Sequence, residues 1–379
     1  MRQFIDEALY HPEYGYFAKN ANIFMLENPI DFGNVLDIDD YQTRLSRLYK
    51  SMSLSAHFYQ LWHTPSELFQ PHYGAAIADY MIENRKGQDK LIIHEVGPGT
   101  GTLCANITDH LNKVGIPYEY NLIEISEKLF FMQRERFKND KHVKVRHKSF
   151  FDLQEQDDRQ VFLIAMEVWD NLSQDVVQYG ANGELLQGKV EIDEQALPYD
   201  IPGMYNVLFE PARDPLIIDT VNAMERQNYT WQCLRWSPME YFQFLGFDTS
   251  YKWQYIPTGI FAFLRQFMNV FPNSKLIISD FDSLPGRTPG YDSPVVQTRY
   301  KGDTVNCSSI LLKKGLFDIF FPINFDLMAN IFKSISKNEV TVMKHRTFLK
   351  QYANVEKTCT RSGYNPMLEE FENVSFLLT

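Results

Sequence analysis

A glycine-rich segment is the first feature of this 379-residue sequence whose residue types and spacing could do chemistry. After Glu95, the letters VGPGTG place Gly97, Gly99 and Gly101 at alternate positions. Glycine adopts positive φ at no steric cost and lets a ligand lie against the backbone, and the N-terminus of a following helix favours an anionic group. The segment is therefore a candidate ligand-binding loop. A plain tight turn between a strand and a helix is the alternative that the spacing leaves open.

Carboxylates in three later segments extend this candidate site. Glu124 follows the glycines by roughly the twenty residues at which an acid reaches ribose hydroxyls in nucleotide-binding sheets. Asp152 stands where a carboxylate can accept the amine of an adenine ring. Glu167 and Asp170 could together hold a cation such as a guanidinium through paired hydrogen bonds. For each of these acids, the alternative is a solvated carboxylate at the end of a strand.

Short apolar runs alternate with amphipathic stretches around these residues. The runs at 91–96, 118–125, 143–151 and 160–168 are predicted strands, and helices are predicted between the first three. Strands that alternate with helices favour a parallel sheet with both faces covered. We therefore predict an α/β fold with a Rossmann-like, doubly wound sheet. The acids above are expected at its carboxyl edge, where such sheets bind ligands.

The sequence divides into four predicted regions. Residues 1–85 are predicted to form an N-terminal helical extension that includes a polar, irregular insertion at 18–50. Residues 86–170 hold the ligand-binding half of the sheet. A hairpin and aromatic-rich helices make residues 171–272 a large insertion after the fourth strand, and residues 273–379 complete the sheet.

Composition narrows the classes of partner. Asp and Glu outnumber Lys and Arg 48 to 37, so the surface is expected to suit a basic protein better than a nucleic acid. The four cysteines form no CxxC pair, so no metal site is expected. No apolar run is long enough to predict a membrane span, and the first residues do not form a signal or transit peptide as written.

Six segments together resemble the MidA-like family. The N-terminal segment resembles the family's opening helix and its ALYxPxxGYY motif, and the glycine loop resembles its first-strand motif. The remaining four are similar to the family's motifs at the second strand and the fourth strand, to its DYG stretch after a later strand, and to its ADLTxHVDF segment. In this sequence the six read MRQFIDEALYHPEYGYF, HEVGPGTGTL, LIEISEKL, LIAMEVWDNL, SDFDSLPG and GLFDIFFPINFDLM.

The resemblance runs from about residue 1 to the C-terminus and implies a class I methyltransferase fold that binds S-adenosylmethionine. It further implies symmetric dimethylation of arginine on a mitochondrial protein, a mitochondrial location, and a role with a partner in assembly of respiratory complex I. Position by position, it implies cofactor contacts at Glu95, Gly97, Gly99, Gly101, Glu124 and Asp152. It places Glu167 and Asp170 near the methyl group and the acceptor, with Glu67 as a further catalytic candidate.

Three departures from the family pattern touch the expected pockets. The GDF element that precedes TSPE in the family is absent, and the nearest equivalent here is Thr64 to Glu67. Met166 stands where the family has a polar residue, and the family's DYG is DFD here. These departures keep open a second hypothesis, a noncatalytic assembly scaffold with a methyltransferase fold.

In the scaffold hypothesis, aromatic residues of the insertion form a face that binds a partner. The residues concerned are Trp231, Trp236, Tyr241, Phe242, Phe261, Phe263 and Phe267. The alternative for them is a place in the core. An open pocket with Glu167 and Asp170 converging on it would favour the enzyme, and a blocked pocket would favour the scaffold. A third hypothesis is an RNA or small-molecule methyltransferase. The absence of a basic patch and of an NPPY-type motif disfavours methylation of a nucleic-acid base.

Overall fold

The computed structural model describes residues 1–19, 22–23, 25–26, 28–53, 61–62, 64–85, 87–180, 182–192, 204–231, 253–300, 303–336 and 338–379. The strands are β1 (Asn22–Ile23), β2 (Leu61–Trp62), β3 (Leu91–Val96), β4 (Tyr118–Glu124), β5 (Val143–His147), β6 (Val161–Met166), β7 (Asp175–Tyr179), β8 (Leu185–Ile192), β9 (Tyr205–Pro211), β10 (Gln254–Ile256), β11 (Lys275–Phe281), β12 (Val295–Tyr300), β13 (Asp303–Asn306), β14 (Asp318–Phe320), β15 (Thr341–Lys344) and β16 (Val374–Leu378). The α-helices are α1 (Arg2–Tyr10), α2 (Tyr16–Lys19), α3 (Ile38–Ser53), α4 (Pro65–Leu68), α5 (His72–Asn84), α6 (Thr102–Val114), α7 (Glu127–Arg136), α8 (Pro215–Arg226), α9 (Thr258–Val270), α10 (Phe325–Ser336), α11 (His345–Tyr352) and α12 (Pro366–Glu369).

Seven strands form the central sheet, in the order β15-β16-β11-β6-β3-β4-β5. The five strands from β11 to β5 are parallel, and β16 runs antiparallel to both of its neighbours. The strand order reverses between β3 and β6, which is the switch point where open α/β sheets bind ligands. The predicted doubly wound α/β fold is confirmed.

Apolar side chains on both faces hold the sheet in place. All six residues of β3 are buried, as expected of a parallel strand that is covered on both sides. On one face, Ile93 belongs to a core cluster that includes α5 and α6. On the other face, Ile92 belongs to a cluster that includes α9 and α10. The two clusters fix the direction of β3, and so the position of the glycine loop at its end.

The insertion after β6 builds a second, antiparallel sheet in the order β10-β7-β8-β9. The predicted hairpin is present as β8 and β9. Helix α1 packs against this sheet, because its buried Phe4, Ile5 and Leu9 share a core cluster with Val176 of β7. The start of the chain and the insertion therefore meet, although about 170 residues separate them. Of the helices in the described part of the chain, none combines the length and apolar character needed to cross a bilayer.

The expectation of an irregular insertion at 18–50 is wrong, because α3 spans Ile38–Ser53. Its apolar stripe is narrow: Tyr41 and Leu45 are buried one turn apart, while most of the helix is polar. A helix needs only such a stripe to pack on a core.

The prediction of an aromatic face that binds a partner is also wrong for those of its residues that the structure describes. Phe261, Phe263 and Phe267 are buried in the core between α9 and the sheet. Trp231 is half-buried against the rings of Tyr179 and Tyr229. The remaining members of the predicted face, Trp236, Tyr241 and Phe242, lie outside the described residues.

Candidate cofactor and acceptor site

A cavity of about 600 Å³ opens at the carboxyl edge of β3, β4 and β6, beside the switch point. This volume is typical of small-molecule sites, which span roughly 300–1,000 Å³. Seven of the nine predicted site residues line it, and they come from the glycine loop, the strand ends and α4. These seven are Glu67, Glu95, Gly97, Gly99, Glu124, Glu167 and Asp170.

The glycine loop turns the chain from β3 into α6. Gly97, Gly99 and Gly101 have φ of 63°, 56° and 78°, in the left-handed region that residues with a Cβ rarely adopt. A Cβ on Gly97 would lie 3.0 Å from the side chain of Val168, and one on Gly101 would lie 2.8 Å from the ring of Phe137. Gly101 thus allows close packing against the end of α7. Contrary to expectation, it does not line the cavity.

Glu124, at the end of β4, is buried and held in a fixed orientation. One carboxylate oxygen accepts the Ser126 N–H at 2.7 Å, and the other accepts the Gln133 amide at 3.0 Å. The same Gln133 nitrogen donates to the carbonyl oxygen of Gly99 at 2.7 Å. The Ile125 N–H also donates to this carboxylate, and a carboxylate has about four acceptor positions, so one remains for a hydroxyl donor. Burial raises the pKa of Glu124 to about 7.

Two other buried acids line the cavity beside the glycine loop. Glu95 accepts a hydrogen bond from the Tyr120 hydroxyl at 2.7 Å, and burial raises the pKa of this carboxyl to about 7. Glu67 accepts a hydrogen bond from the Thr100 hydroxyl at 2.5 Å. The TPSE segment, which lacks the preceding GDF element of the family, therefore still reaches the glycine loop. Its Glu67 holds the loop in place.

The segment after β5 contributes rings to the cavity instead of the predicted carboxylate. Residues Phe150–Asp152 form a turn of 3₁₀ helix, and both Phe150 and Phe151 line the cavity. Asp152 points elsewhere: its side chain is exposed and lies outside the lining, contrary to expectation. Together with Ile125 and Leu129, the two rings give this end of the cavity an apolar wall. Such a wall suits a planar aromatic ring.

Glu167 and Asp170 lie in the turn that follows β6. Glu167 has φ of 54°, which is a strained backbone conformation. Its N–H donates a hydrogen bond to the Ser279 carbonyl at 2.8 Å, and this bond holds the conformation in place. Asp170 is 5% exposed, and its Oδ1 has no hydrogen-bond partner among the described residues. Burial and the Asp280 carboxylate raise the pKa of Glu167 to about 8, and burial with Asp280 and Asp318 raises that of Asp170 well above its usual range. An unpaired buried oxygen on a cavity wall is a place for a ligand's hydrogen-bond donor.

Two buried acids that the sequence did not predict support this turn. Asp280, at the end of β11, accepts the N–H groups of Trp169 at 2.8 Å and Asp170 at 3.1 Å. Asp318 accepts the Asn171 side-chain amide at 3.1 Å. Burial raises the pKa of each acid to about 7. The strand-end rule applied to the other acids would have found Asp280, whereas nothing local in the sequence marks Asp318.

Two solved structures are similar to this chain. One is a superfamily member from Burkholderia thailandensis bound to S-adenosyl-homocysteine, with a TM-score of 0.62 and 15% identity. The other is a native crystal structure of an uncharacterized protein of the same superfamily and organism, with a TM-score of 0.60 and 14% identity. Each match covers 100% of this chain and 86% of the other. At this identity, the likeness shows the fold, which is that of class I methyltransferases.

The sequence also matches a protein-family model. No curated protein matches the chain. The model is described as "putative S-adenosyl-L-methionine-dependent methyltransferase", and it matches residues 76–343, more than two thirds of the chain. The matched residues include β3, the glycine loop, Glu124 and the turn with Glu167 and Asp170. The chain therefore belongs to this family of S-adenosylmethionine-dependent methyltransferases.

Proposed function

We propose that this methyltransferase transfers a methyl group from S-adenosylmethionine to a guanidinium nitrogen of arginine in a protein. The charge of the cavity wall carries the proposal. Seven carboxylates line it, against two basic side chains: Asp6, Glu67, Glu95, Glu124, Glu167, Asp170 and Asp318, against Arg2 and Lys148. Burial, together with repulsion between neighbouring acids, raises the pKa of most of these groups, and a bound cation would favour their ionised forms. Such a wall therefore favours a cationic acceptor over a neutral or anionic one.

The residues at the glycine-loop end fit the cofactor. The positive-φ loop at Gly97 and Gly99 leaves room for a ligand backbone. Glu124 has capacity for a ribose hydroxyl, and Phe150 and Phe151 offer an apolar wall for adenine. We propose these five residues as the cofactor contacts, with Glu67 holding the loop through Thr100. The bound cofactor supplies a methyl group already activated on a sulfonium.

The acceptor side must then orient one nitrogen and take its proton. The unpaired Oδ1 of Asp170 would accept a guanidinium N–H, and Glu167 would hold the second N–H of the same fork. As the nitrogen–carbon bond forms and the sulfur–carbon bond breaks, the nitrogen's proton passes to one of these carboxylates. Because burial and the Asp280 carboxylate raise the pKa of Glu167 to about 8, this carboxylate is ionised and able to accept that proton at mildly basic pH.

Finer parts of the proposal rest on the family resemblance alone. These are symmetric dimethylation, a mitochondrial location, and a respiratory-complex partner. The scaffold alternative has less support, because the cavity in front of Gly97 is open and Glu167 and Asp170 both line it. This arrangement is the one that favours an enzyme.

The proposal is tested by finding which amino acid receives the methyl group. Purified protein and methyl-labelled S-adenosylmethionine are incubated with extract from cells lacking this chain, and the proteins are hydrolysed to amino acids for chromatography. We expect label in monomethylarginine and symmetric dimethylarginine. Label in methyllysine, in nucleic acid or in small molecules would contradict the arginine assignment while leaving the methyltransferase family in place.

Gln133 is expected to set the affinity for the cofactor without touching the acceptor. Its side chain bridges Glu124 and the Gly99 carbonyl, so Gln133→Leu removes both hydrogen bonds at similar volume. Losing the amide that orients a buried carboxylate costs about 1–2 kcal/mol, so the calorimetric Kd for S-adenosylmethionine should rise about tenfold. Gln156→Leu, at an exposed position whose side-chain amide donates to Asp158, is the control. Equal affinities for the two variants would contradict the bridging role.

A further inference from the structure

Helix α1 lies along the chain segment that follows the turn with Glu167 and Asp170. The helix and the segment run in opposite directions, and three residues of the helix, four positions apart, contact three residues of the segment, two positions apart. The Tyr10 hydroxyl donates to the Asn171 carbonyl at 3.0 Å, and the Arg2 N–H donates to the Asp175 carboxylate at 3.1 Å. Between them, the Ser173 hydroxyl is hydrogen-bonded to the Asp6 carboxylate.

The matching of these pairs follows from the geometry of the two elements. Four residues of an α-helix advance about 6 Å, and two residues of extended chain advance about 6.6 Å. Residues 2, 6 and 10 therefore lie on one face of α1, and the spacing of residues 2 and 6 matches that of Asp175 and Ser173, at and just before the start of β7, while Tyr10 meets Asn171 in the preceding turn. All three residues of this face line the cavity, namely Arg2, Asp6 and Tyr10.

The opposite face fixes α1 to the body of the protein. Phe4, Ile5, Ala8 and Leu9 are buried, in the core cluster shared with the second sheet. After the helix, the chain makes a turn that requires Gly15, because a Cβ there would lie 2.4 Å from the His11 nitrogen. The N-terminal motif ALYHPEYGYF thus forms the end of a helix packed on the core and the turn that terminates it. The polar face of this helix, with Arg2, Asp6 and Tyr10, forms one wall of the cavity.

Within this wall, Asp6 is the carboxyl group that makes no ion pair among the described residues; burial raises its pKa, and the nearby Arg2 opposes that rise. Arg2 is already paired with two carboxylates, Asp175 at 3.0 Å and Asp214 at 2.5 Å. Among the described residues, no Lys, Arg or His makes an ion pair with Asp6, whose side chain is exposed to the cavity. Tyr10, Asp6 and Asp170 all line the cavity, and both carboxyl groups act electrostatically on the Tyr10 hydroxyl.

We propose that Asp6 is a specificity-determining residue of the acceptor pocket, whose carboxylate receives the positively charged acceptor side chain together with Asp170. The N-terminal helix then selects a cationic acceptor, and the residues at the strand ends carry out the methyl transfer. This inference rests on the cationic acceptor of the proposed function. It adds a recognition residue more than 160 positions away in sequence from the turn that carries Asp170.

The test measures binding of two small probes to the full chain by calorimetry, with S-adenosylhomocysteine bound. The probes are acetyl-Gly-Arg-Gly amide and the same peptide with neutral citrulline in place of arginine. Asp6→Asn removes the charge at constant shape, and Glu7→Gln is the matched control, one residue along on α1 and outside the cavity lining. Glu7 pairs with Lys314 there, and losing that pair costs at most about 1 kcal/mol of stability.

We expect wild type to bind the arginine probe at least about tenfold more tightly than the citrulline probe. Asp6→Asn should lose about tenfold affinity for the arginine probe alone, with unchanged affinity for S-adenosylhomocysteine. In turnover, the same variant should raise KM and leave kcat within about twofold, because only binding changes. Glu7→Gln should match wild type throughout.

Two results would overturn the inference, and they differ in what else they overturn. If wild type prefers arginine and Asp6→Asn keeps that preference, Asp6 is not a recognition residue, while the cationic acceptor stands. If wild type does not distinguish arginine from citrulline, the cationic acceptor itself is wrong and the role of Asp6 is wrong with it.

Discussion

Replacing Gly97 by valine is expected to weaken S-adenosylmethionine binding by at least about 100-fold, which corresponds to about 2.7 kcal/mol. Gly97 has φ of 63°, which costs a β-branched residue more than about 1 kcal/mol. Its Cβ would also lie 3.0 Å from Val168, so the added methyl groups must displace either the turn after β6 or the ligand. Calorimetry with S-adenosylmethionine measures the loss directly.

The control for this variant is Gly115→Val, at the other end of the same helix, α6. Gly115 has φ of 73°, so valine there brings a similar backbone strain, but a Cβ would meet no atom within 4 Å. Gly115→Val should therefore lose folding stability and keep its cofactor affinity. If both variants lost affinity equally, general destabilisation would explain the result and the loop would not be the cofactor site.

The cofactor half of the site could be predicted from the sequence because its determinants are local. An apolar run followed by alternate glycines specifies a strand, a sharp turn and a helix within about ten residues. Parallel strands bring their carboxyl ends to one edge, so Glu124, Glu167 and Asp170 had to converge once the strands were recognised. Seven of nine predicted residues line the cavity for this reason.

The remaining features depend on packing that no local pattern records. Asp152 stays outside the cavity because the 3₁₀ turn Phe150–Asp152 directs Phe151 inward instead. Helix α1 reaches the site through packing against distant parts of the chain, such as Val176 of β7, which is about 170 residues away in sequence. Helix α3 has so few apolar residues that its apolar stripe, Tyr41 and Leu45, can be recognised only once the core surface against which it packs is known. In each case, a tertiary contact decides between conformations that the sequence alone leaves close in energy.

Asp170→Asn is expected to lower kcat for methyl transfer by about 10²–10⁴-fold while leaving cofactor affinity within about twofold. The amide keeps the size of the carboxylate, and it can still accept the backbone N–H of Asn171 through its oxygen. It cannot take a proton, however. Its NH₂ group and the guanidinium N–H are both hydrogen-bond donors, so they cannot bond to each other. Asp79→Asn, which removes a surface carboxylate paired with His110, is the control and should keep full activity.

The same Asp170→Asn variant should be at least as stable as wild type, which separates a functional role from a structural one. Asp170 is buried beside Asp280, Asp318 and Glu167, and these neighbours raise its pKa. An acid whose pKa is raised on folding contributes stability below its unfolded pKa of about 3.9, and this stability is lost as pH rises toward the folded pKa. Asparagine does not ionise, so the Tm advantage of the variant over wild type should grow with pH across that range. A variant that lost both activity and stability would show that Asp170 holds the turn together, and the proposed transfer would need another carboxylate.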